Sequence, residues 1–360
     1  MPFYVIYASN WLMRKTFLFM RTNQLLKLAT VAILSFFILA SCDDHPKKTI
    51  VCWGDSLTAP PGSGIKGTVK KLIKGDNSYP SYLEGLLSDE YEIINCGVGG
   101  ENTLTIAARQ GSIPMFLAHD VILFPDRQEK FIGNEDIRGF LSTWDSTSVT
   151  PLLQCGWDEN SPAHINPCII QNIPLNIKSE DISRNLENDG NHFKWNYFIE
   201  GLKEAETYDT IKAGSIVYTE ASKSLRSPYA NIFFIGQNGG FKDAADLIAQ
   251  LKKMITYGQT DKYIVISFHK PNRPIPTIKR MQEMEDSLHN EFGKHYINLR
   301  KYMVAKGIQA AGLKPTEIDN DSISHGQVPP QLLKDGVHFT SKGYELIAKL
   351  VQKKFTELGY

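Results

Sequence analysis

Three short apolar runs, each stopped by a glycine, constrain this chain more than any other feature. Lys48–Trp53 (KTIVCW) halts at Gly54, Tyr91–Asn95 (YEIIN) runs up to Gly97, and Asn231–Ile235 (NIFFI) halts at Gly236. Runs this short and this continuously apolar predict strands buried on both faces. Two further strands are predicted over Tyr263–Phe268 and Tyr296–Leu299. Between and after them lie amphipathic stretches at Tyr79–Ser88, Asp243–Ile255, Pro276–Phe292 and Ser341–Leu358. In the second of these, Leu247, Ile248, Leu251 and Ile255 recur at helical spacing. Strands alternating with amphipathic helices predict an α/β fold, a parallel sheet covered on both faces. Chemistry in such sheets sits beyond the carboxyl ends of the strands, and the three glycines mark that end.

Residues 112–228 break the alternation. They hold short runs between turn signals: Val121–Pro125, Cys168–Ile170, Ile173–Leu175 and Lys212–Tyr218, with Asn188-Asp189-Gly190-Asn191 as the strongest turn. This reads as an all-β insertion that divides the α/β part into 48–111 and 229–360. The chain of 360 residues is 42% hydrophobic and 22% charged, which excludes disordered, collagen-like and coiled-coil chains. Its 39 basic residues balance 39 acidic ones, so nothing favours nucleic acid as a partner.

The first 41 residues carry Arg14, Lys15, Arg21 and Lys27 and no acid. An apolar run from Leu28 to Ala40 follows, then Leu39-Ala40-Ser41-Cys42 and the polar Asp43-Asp44. A basic region, a short apolar core and small residues describe a secretory signal. The run is shorter than the roughly 20 apolar residues of a membrane span. Leu-Ala-Ser-Cys resembles a bacterial lipobox, which implies that Cys42 is lipidated and becomes the new N-terminus; a plain signal peptide or an anchor helix is the alternative. Met20 would open a compact signal of 23 residues ending at Cys42. Residues 1–41 are thus expected to be a lipoprotein signal and 42–47 a tether. The processed chain, 35 basic against 39 acidic residues, would sit on an envelope membrane, in the periplasm or at the cell surface, held by its lipid.

Cys52, Cys96, Cys155 and Cys168 remain. In an exported chain Cys155 and Cys168 could close a loop, and Cys52 could reach Cys96 from a neighbouring strand, with buried free thiols as the plainer reading. No cysteine or histidine spacing suggests zinc.

Gly54-Asp55-Ser56-Leu57 follows the first strand directly. A serine hydroxyl needs a base to become a nucleophile. Asp335-Gly336-Val337-His338 supplies a histidine with a carboxylate three positions before it, spacing that can hold one ring nitrogen while the other faces the serine. Two glycine-rich turns, Asn95–Thr103 and Gly236–Gly240, offer donors for an oxyanion. The order GDSL, N-x-G-x-x-G-x-x-T, G-x-N and D-x-x-H resembles the SGNH (GDSL-type) hydrolases over about 48–111 and 229–358. The resemblance implies a three-layer α/β/α sandwich with a flavodoxin-like sheet of about five parallel strands. It implies Ser56 as nucleophile, His338 as general base and Asp335 as the carboxylate that orients it. Gly100 is implied as the backbone oxyanion donor and Asn238 as the side-chain donor, with no cofactor and no metal. Gly239 departs from the pattern, which usually has Asp there, and this leaves the support of that loop open. The stretch Gly99–Gly111 also resembles a subgroup with a β-rich insertion at this point.

Other polar residues invite plainer readings. Ser56 could be only a helix cap. His269 could line the cleft but is read as a solvated loop residue, as is His325. Lys66, Lys70, Lys71 and Lys74 read as a solvated loop, and Trp144, Trp157, Trp195 and Tyr197 as core side chains that could otherwise stack on sugar rings. The expected activity is a serine esterase removing O-acetyl or other O-acyl groups from carbohydrate. A lysophospholipase or short-chain lipase, an acyltransferase, and a glycan-binding lipoprotein on a hydrolase scaffold are the alternatives.

Overall fold

Five strands of the chain pair in parallel: β1 (Lys48–Gly54), β2 (Tyr91–Gly97), β3 (Ala230–Phe234), β4 (Tyr263–Ile266) and β5 (Tyr296–Ile297). Their order across the sheet is β5-β4-β3-β1-β2, and Lys70–Lys71 adds a short antiparallel edge beside β2. This is the doubly wound order in which the direction of winding reverses between β1 and β3. The computed structural model describes residues 46–59, 70–71, 77–134, 136–142, 146, 149, 166–181, 195–270 and 277–360. The chain divides into Met1–Lys47 and Lys48–Tyr360, and the second unit holds every element named here.

Alternation along β1 sorts its side chains between two cores. Ile50 and Cys52 face one side, with α1 (Tyr79–Leu86) and α5 (Ser341–Glu357) supplying Leu83, Leu346, Ile347 and Val351. Val51 and Trp53 face the other, against α2 (Thr103–Gln110), α3 (Ala244–Tyr257) and α4 (Ile278–Phe292). The result is the three-layer α/β/α sandwich expected from the sequence. Each helix starts where a side chain caps it: Ser78 for α1, Asn102 for α2, Asp243 for α3, Thr277 for α4 and Thr340 for α5. Helix α2 was not among the predicted elements. Its capping box of Asn102 and Thr105 closes it at the N-terminus, and Gly111, at φ 97°, ends it.

Between α2 and β3 the described residues form antiparallel β-structure and one short helix, Glu220–Ser224, capped by Thr219, so the expected insertion is not wholly β. A five-stranded sheet runs in the order Val217–Thr219, Asn166–Ile170, Ile173–Asp181, Trp195–Gly201, Lys130–Gly133. Gln171 and Asn172, both at positive φ, make the two-residue turn that joins Asn166–Ile170 to Ile173–Asp181. Val121–Leu123 pairs with Asp209–Ile211, and Met115–Leu117 with Phe140–Ser142. Ile132, Phe140, Ile170 and Ile199 belong to the same buried cluster as Trp53 and α2, so this region shares a core with one face of the central sheet. The predicted turn at Asn188–Asn191 lies outside the described residues.

Cys52 and Cys96 are buried thiols, not joined in a disulfide. They belong to opposite cores of the sheet, which rules out the bridge between them. Cys168 is also free and buried; its expected partner Cys155 lies outside the described residues, as do Cys42, Trp144, Trp157, Lys66 and Lys74. The side chains of Lys70, Lys71 and Trp195 are likewise outside them. Tyr197 packs in the core.

Candidate active site

The chain leaves β1 through Gly54 into a tight turn. The Asp55 carbonyl accepts from Thr58 N at 3.0 Å and Ala59 N at 2.9 Å, and Asp55 Oδ1 accepts from Leu57 N at 2.9 Å. This raises Ser56 above the end of the sheet at its switch point. The end of β2 presses on the same turn: a Cβ at Gly97 would lie 2.2 Å from Ala59 N. Asn95, fully buried, ties the two together. Its Nδ2 donates to Thr58 O at 2.8 Å, and its Oδ1 accepts from Gly97 N at 2.9 Å. Asn95 was legible as part of a motif, but not its work as a strut.

His338 stands on the loop before α5. Its Nε2 lies 2.8 Å from Ser56 Oγ, and its Nδ1 lies 2.7 Å from Asp335 Oδ2. The other oxygen of Asp335 accepts from Val337 N at 3.0 Å and His338 N at 2.7 Å. Burial works to raise the Asp335 pKa, but these bonds outweigh it and hold the carboxyl below its usual value. An ionised Asp335 accepts the Nδ1 proton, which leaves Nε2 as the nitrogen that can take a proton from Ser56.

The two glycine-rich turns meet beside Ser56. A Cβ at Gly99 would lie 3.9 Å from Ser56 Cβ, and Gly100 holds φ +80°, a conformation that favours glycine. Asn238 Nδ2 donates to Glu101 O at 2.9 Å. This bond fixes the orientation of the Asn238 amide. Thr103 N donates to Gly239 O at 3.0 Å, and Thr103 Oγ1 to Gly240 O at 2.9 Å. These bonds hold the loop at Gly239, whose support the sequence left open.

His269 is not the solvated residue expected from its loop position. It is 3% exposed, packs edge-on against Phe339, and meets Val337 O through Nε2 at 2.7 Å. Burial lowers its pKa to about 4, against the pull of the Val337 bond. Gln237, also buried, hydrogen-bonds the backbone of Lys270 through both ends of its amide. The turn bearing Asn238 is thus joined to the end of β4 and, through His269, to the His338 loop. Neither role had a signal in the sequence beyond a position just after a strand. His325 stays exposed, its Nδ1 2.8 Å from Asp321 O.

A cavity of about 600 Å³ adjoins Asp335; His269, Lys270, Met281, Val328 and Lys334 are among its walls. That volume suits a small ligand. Among the described residues, no three His, Cys, Asp or Glu side chains gather as a metal ion would need, and no helix is long and apolar enough to cross a membrane.

No family model matches the chain, and no curated protein matches it by sequence. Two solved structures resemble it weakly. One is a catalytic mutant of an acetylxylan esterase from Geobacillus stearothermophilus, at 11% identity and TM-score 0.37, covering 85% of this chain and 93% of that one. The other is a protein described as an arylesterase from Agrobacterium tumefaciens, at 11% identity and TM-score 0.34, covering 86% of this chain and 99% of that one. Likeness at this level bears on neither fold nor chemistry, which rest on the geometry above.

Proposed function

We propose that the chain is a serine esterase of the SGNH (GDSL) type. The observation that carries this reading is the line from Asp335 through His338 to Ser56, with bonds of 2.7 and 2.8 Å between residues up to 282 positions apart. His338 Nε2 takes the Ser56 proton as Oγ bonds to an ester carbonyl. The carbonyl oxygen becomes an anion, held by the N–H groups of Gly100 and Ser56 and by the Asn238 side-chain amide. The intermediate collapses to an acyl-enzyme, and the alcohol leaves with the proton from His338. Water, deprotonated by the same nitrogen, then releases the acid and restores Ser56.

The substrate class we favour is O-acetyl or short O-acyl groups on carbohydrate. The lipobox-like Leu39–Cys42 supports an envelope location, which suits an esterase acting on glycans. In this reading 1–41 is the signal, 42–47 the tether, 48–111 and 229–360 the hydrolase domain, and 112–228 an inserted domain. Cys42 carries the lipid that holds the protein to its membrane.

The test uses residues 43–360 and p-nitrophenyl esters from acetyl to palmitoyl, with Ser56→Ala alongside. Turnover that peaks at acetyl and disappears in the variant is expected. A peak at long chains would transfer the substrate to lipids. No turnover of any ester by folded protein would overturn the esterase.

A further inference from the structure

Arg109 is fully buried beneath the candidate oxyanion site and spans one turn from end to end. Its Nη2 donates to Cys96 O at 2.7 Å, where the turn begins. Nη2 and Nε donate to the Glu101 carboxylate at 2.6 and 3.0 Å, where the turn ends. The guanidinium lies 5.5 Å from the centre of the Trp53 ring, at the end of β1. Gly100 sits inside the bracketed turn, and the Glu101 carbonyl is the acceptor that fixes the Asn238 amide. Both expected oxyanion donors therefore hang on one stapled loop.

A buried ion pair is a weak source of stability, because removing two charges from water opposes the gain from pairing them. The fork geometry of arginine gives something else, a fixed distance between two acceptors. The pair is also tied outward: Thr219 Oγ1, at the end of the strand Val217–Thr219, donates to Arg109 O at 2.6 Å.

We propose that Arg109, acting through Glu101, is a positioning residue that sets the oxyanion geometry, and that Thr219 links the β-rich region to it. The proposal rests on the esterase reading. If the pair only stabilised the fold, its loss would lower the melting temperature and leave the chemical step alone.

The experiment compares wild type, the double variant E101Q/R109M and R109K, reading kcat and KM on p-nitrophenyl acetate, thermal midpoint, and affinity for phenylboronic acid. Ser56 Oγ bonds to the trigonal boron as its own proton passes to His338, and the boron becomes a tetrahedral anion. It reads the oxyanion site without turnover. The double variant, which leaves no unpaired charge, is expected to lose about 10- to 100-fold in kcat and in boronate affinity with KM within about twofold. R109K, with one point charge instead of a fork, is expected to show a smaller loss of the same kind. Either variant, folded, with wild-type kcat and boronate affinity overturns the proposal, and so does a loss confined to KM. A folded wild type that neither turns over ester nor binds boronate overturns the esterase reading, and this inference with it.

Discussion

The buried ring of His269 holds the carbonyl of Val337 at 2.7 Å, one residue before His338. A carbonyl only accepts, so Nε2 carries the proton. The bond braces from below the loop whose top presents Asp335 and His338 to Ser56. His269→Phe keeps a ring and removes the donor. It should destabilise the fold by about 1–3 kcal/mol through the unsatisfied carbonyl. It should also lower kcat about tenfold by loosening the loop. Denaturant midpoints and ester kinetics check both, and an unchanged kcat would refute the brace.

Two buried groups should tilt stability against pH in opposite directions. His269, lowered to about 4 by burial, is neutral in the fold over a range where the unfolded chain, with a pKa near 6.5, is protonated. Its contribution is present above 6.5 and is lost as pH falls toward 4, by up to about 3 kcal/mol. Asp55 is raised to about 7 by burial, with the Leu57 N–H bond opposing and the charge of Glu101 adding. Its contribution is present below its unfolded value of 3.8 and is lost as pH rises to about 7, by up to about 4 kcal/mol. Between pH 4 and 6.5 the wild type should therefore be nearly flat. Asp55→Asn should gain stability with rising pH over that range, and His269→Gln should lose it. Parallel profiles for all three proteins would show that neither group titrates as described.

Asp335→Asn should leave the fold intact and lower kcat by about 10³–10⁴, because an amide can donate to Nδ1 and so favour the wrong tautomer. Asn238→Ala should cost about 10²–10³ in kcat with little change in KM. Steady-state kinetics separate the two from a binding defect. A rise in KM alone for Asn238→Ala would remove it from the oxyanion role.

Gly97 and Gly99 make a matched pair. A Cβ at Gly97 would lie 2.2 Å from Ala59 N and 2.5 Å from Thr58 C, both backbone atoms of the Ser56 turn, whereas one at Gly99 meets only Ser56 Cβ at 3.9 Å. Gly97→Ala should lower the thermal midpoint by several degrees and reduce ester turnover together with it. Gly99→Ala should leave the midpoint within a degree or two. Equal effects would mean that the two strand ends can part freely.

Much of the central sheet could be read in advance, because buried parallel strands advertise themselves as short apolar runs. The strands and helices predicted for the α/β part are found within a few residues of their expected places, Ser341–Glu357 against Ser341–Leu358, for example; the helices Leu299–Tyr302 and Glu317–Ser324 were not predicted. Helix α2 was missed because Thr103–Gln110 is short and is buried along its whole length, its polar residues included. The gathering of Ser56, His338 and Asp335 was legible because a serine that is to act as nucleophile needs a base and a base needs an orienting group. His269 was not. Its burial depends on Phe339 and Val337, some 70 positions away, and nothing in its own neighbourhood announces them. Arg109 was legible only as a residue in a family-like stretch; its span from Cys96 to Glu101 exists once the strand and helix have packed.

The 282 positions between Ser56 and His338 also set an order of events in time. A ribosome adding about 5–20 residues per second finishes Ser56 tens of seconds before it finishes His338. Throughout that interval the serine is an ordinary alcohol, since the base that would sharpen it has not been made. The last long helix, Ser341–Glu357, must dock on the sheet before the loop ahead of it can settle. On the esterase reading, reactivity thus arrives late, as a by-product of completing the fold, and a chain that stops short of His338 is chemically silent.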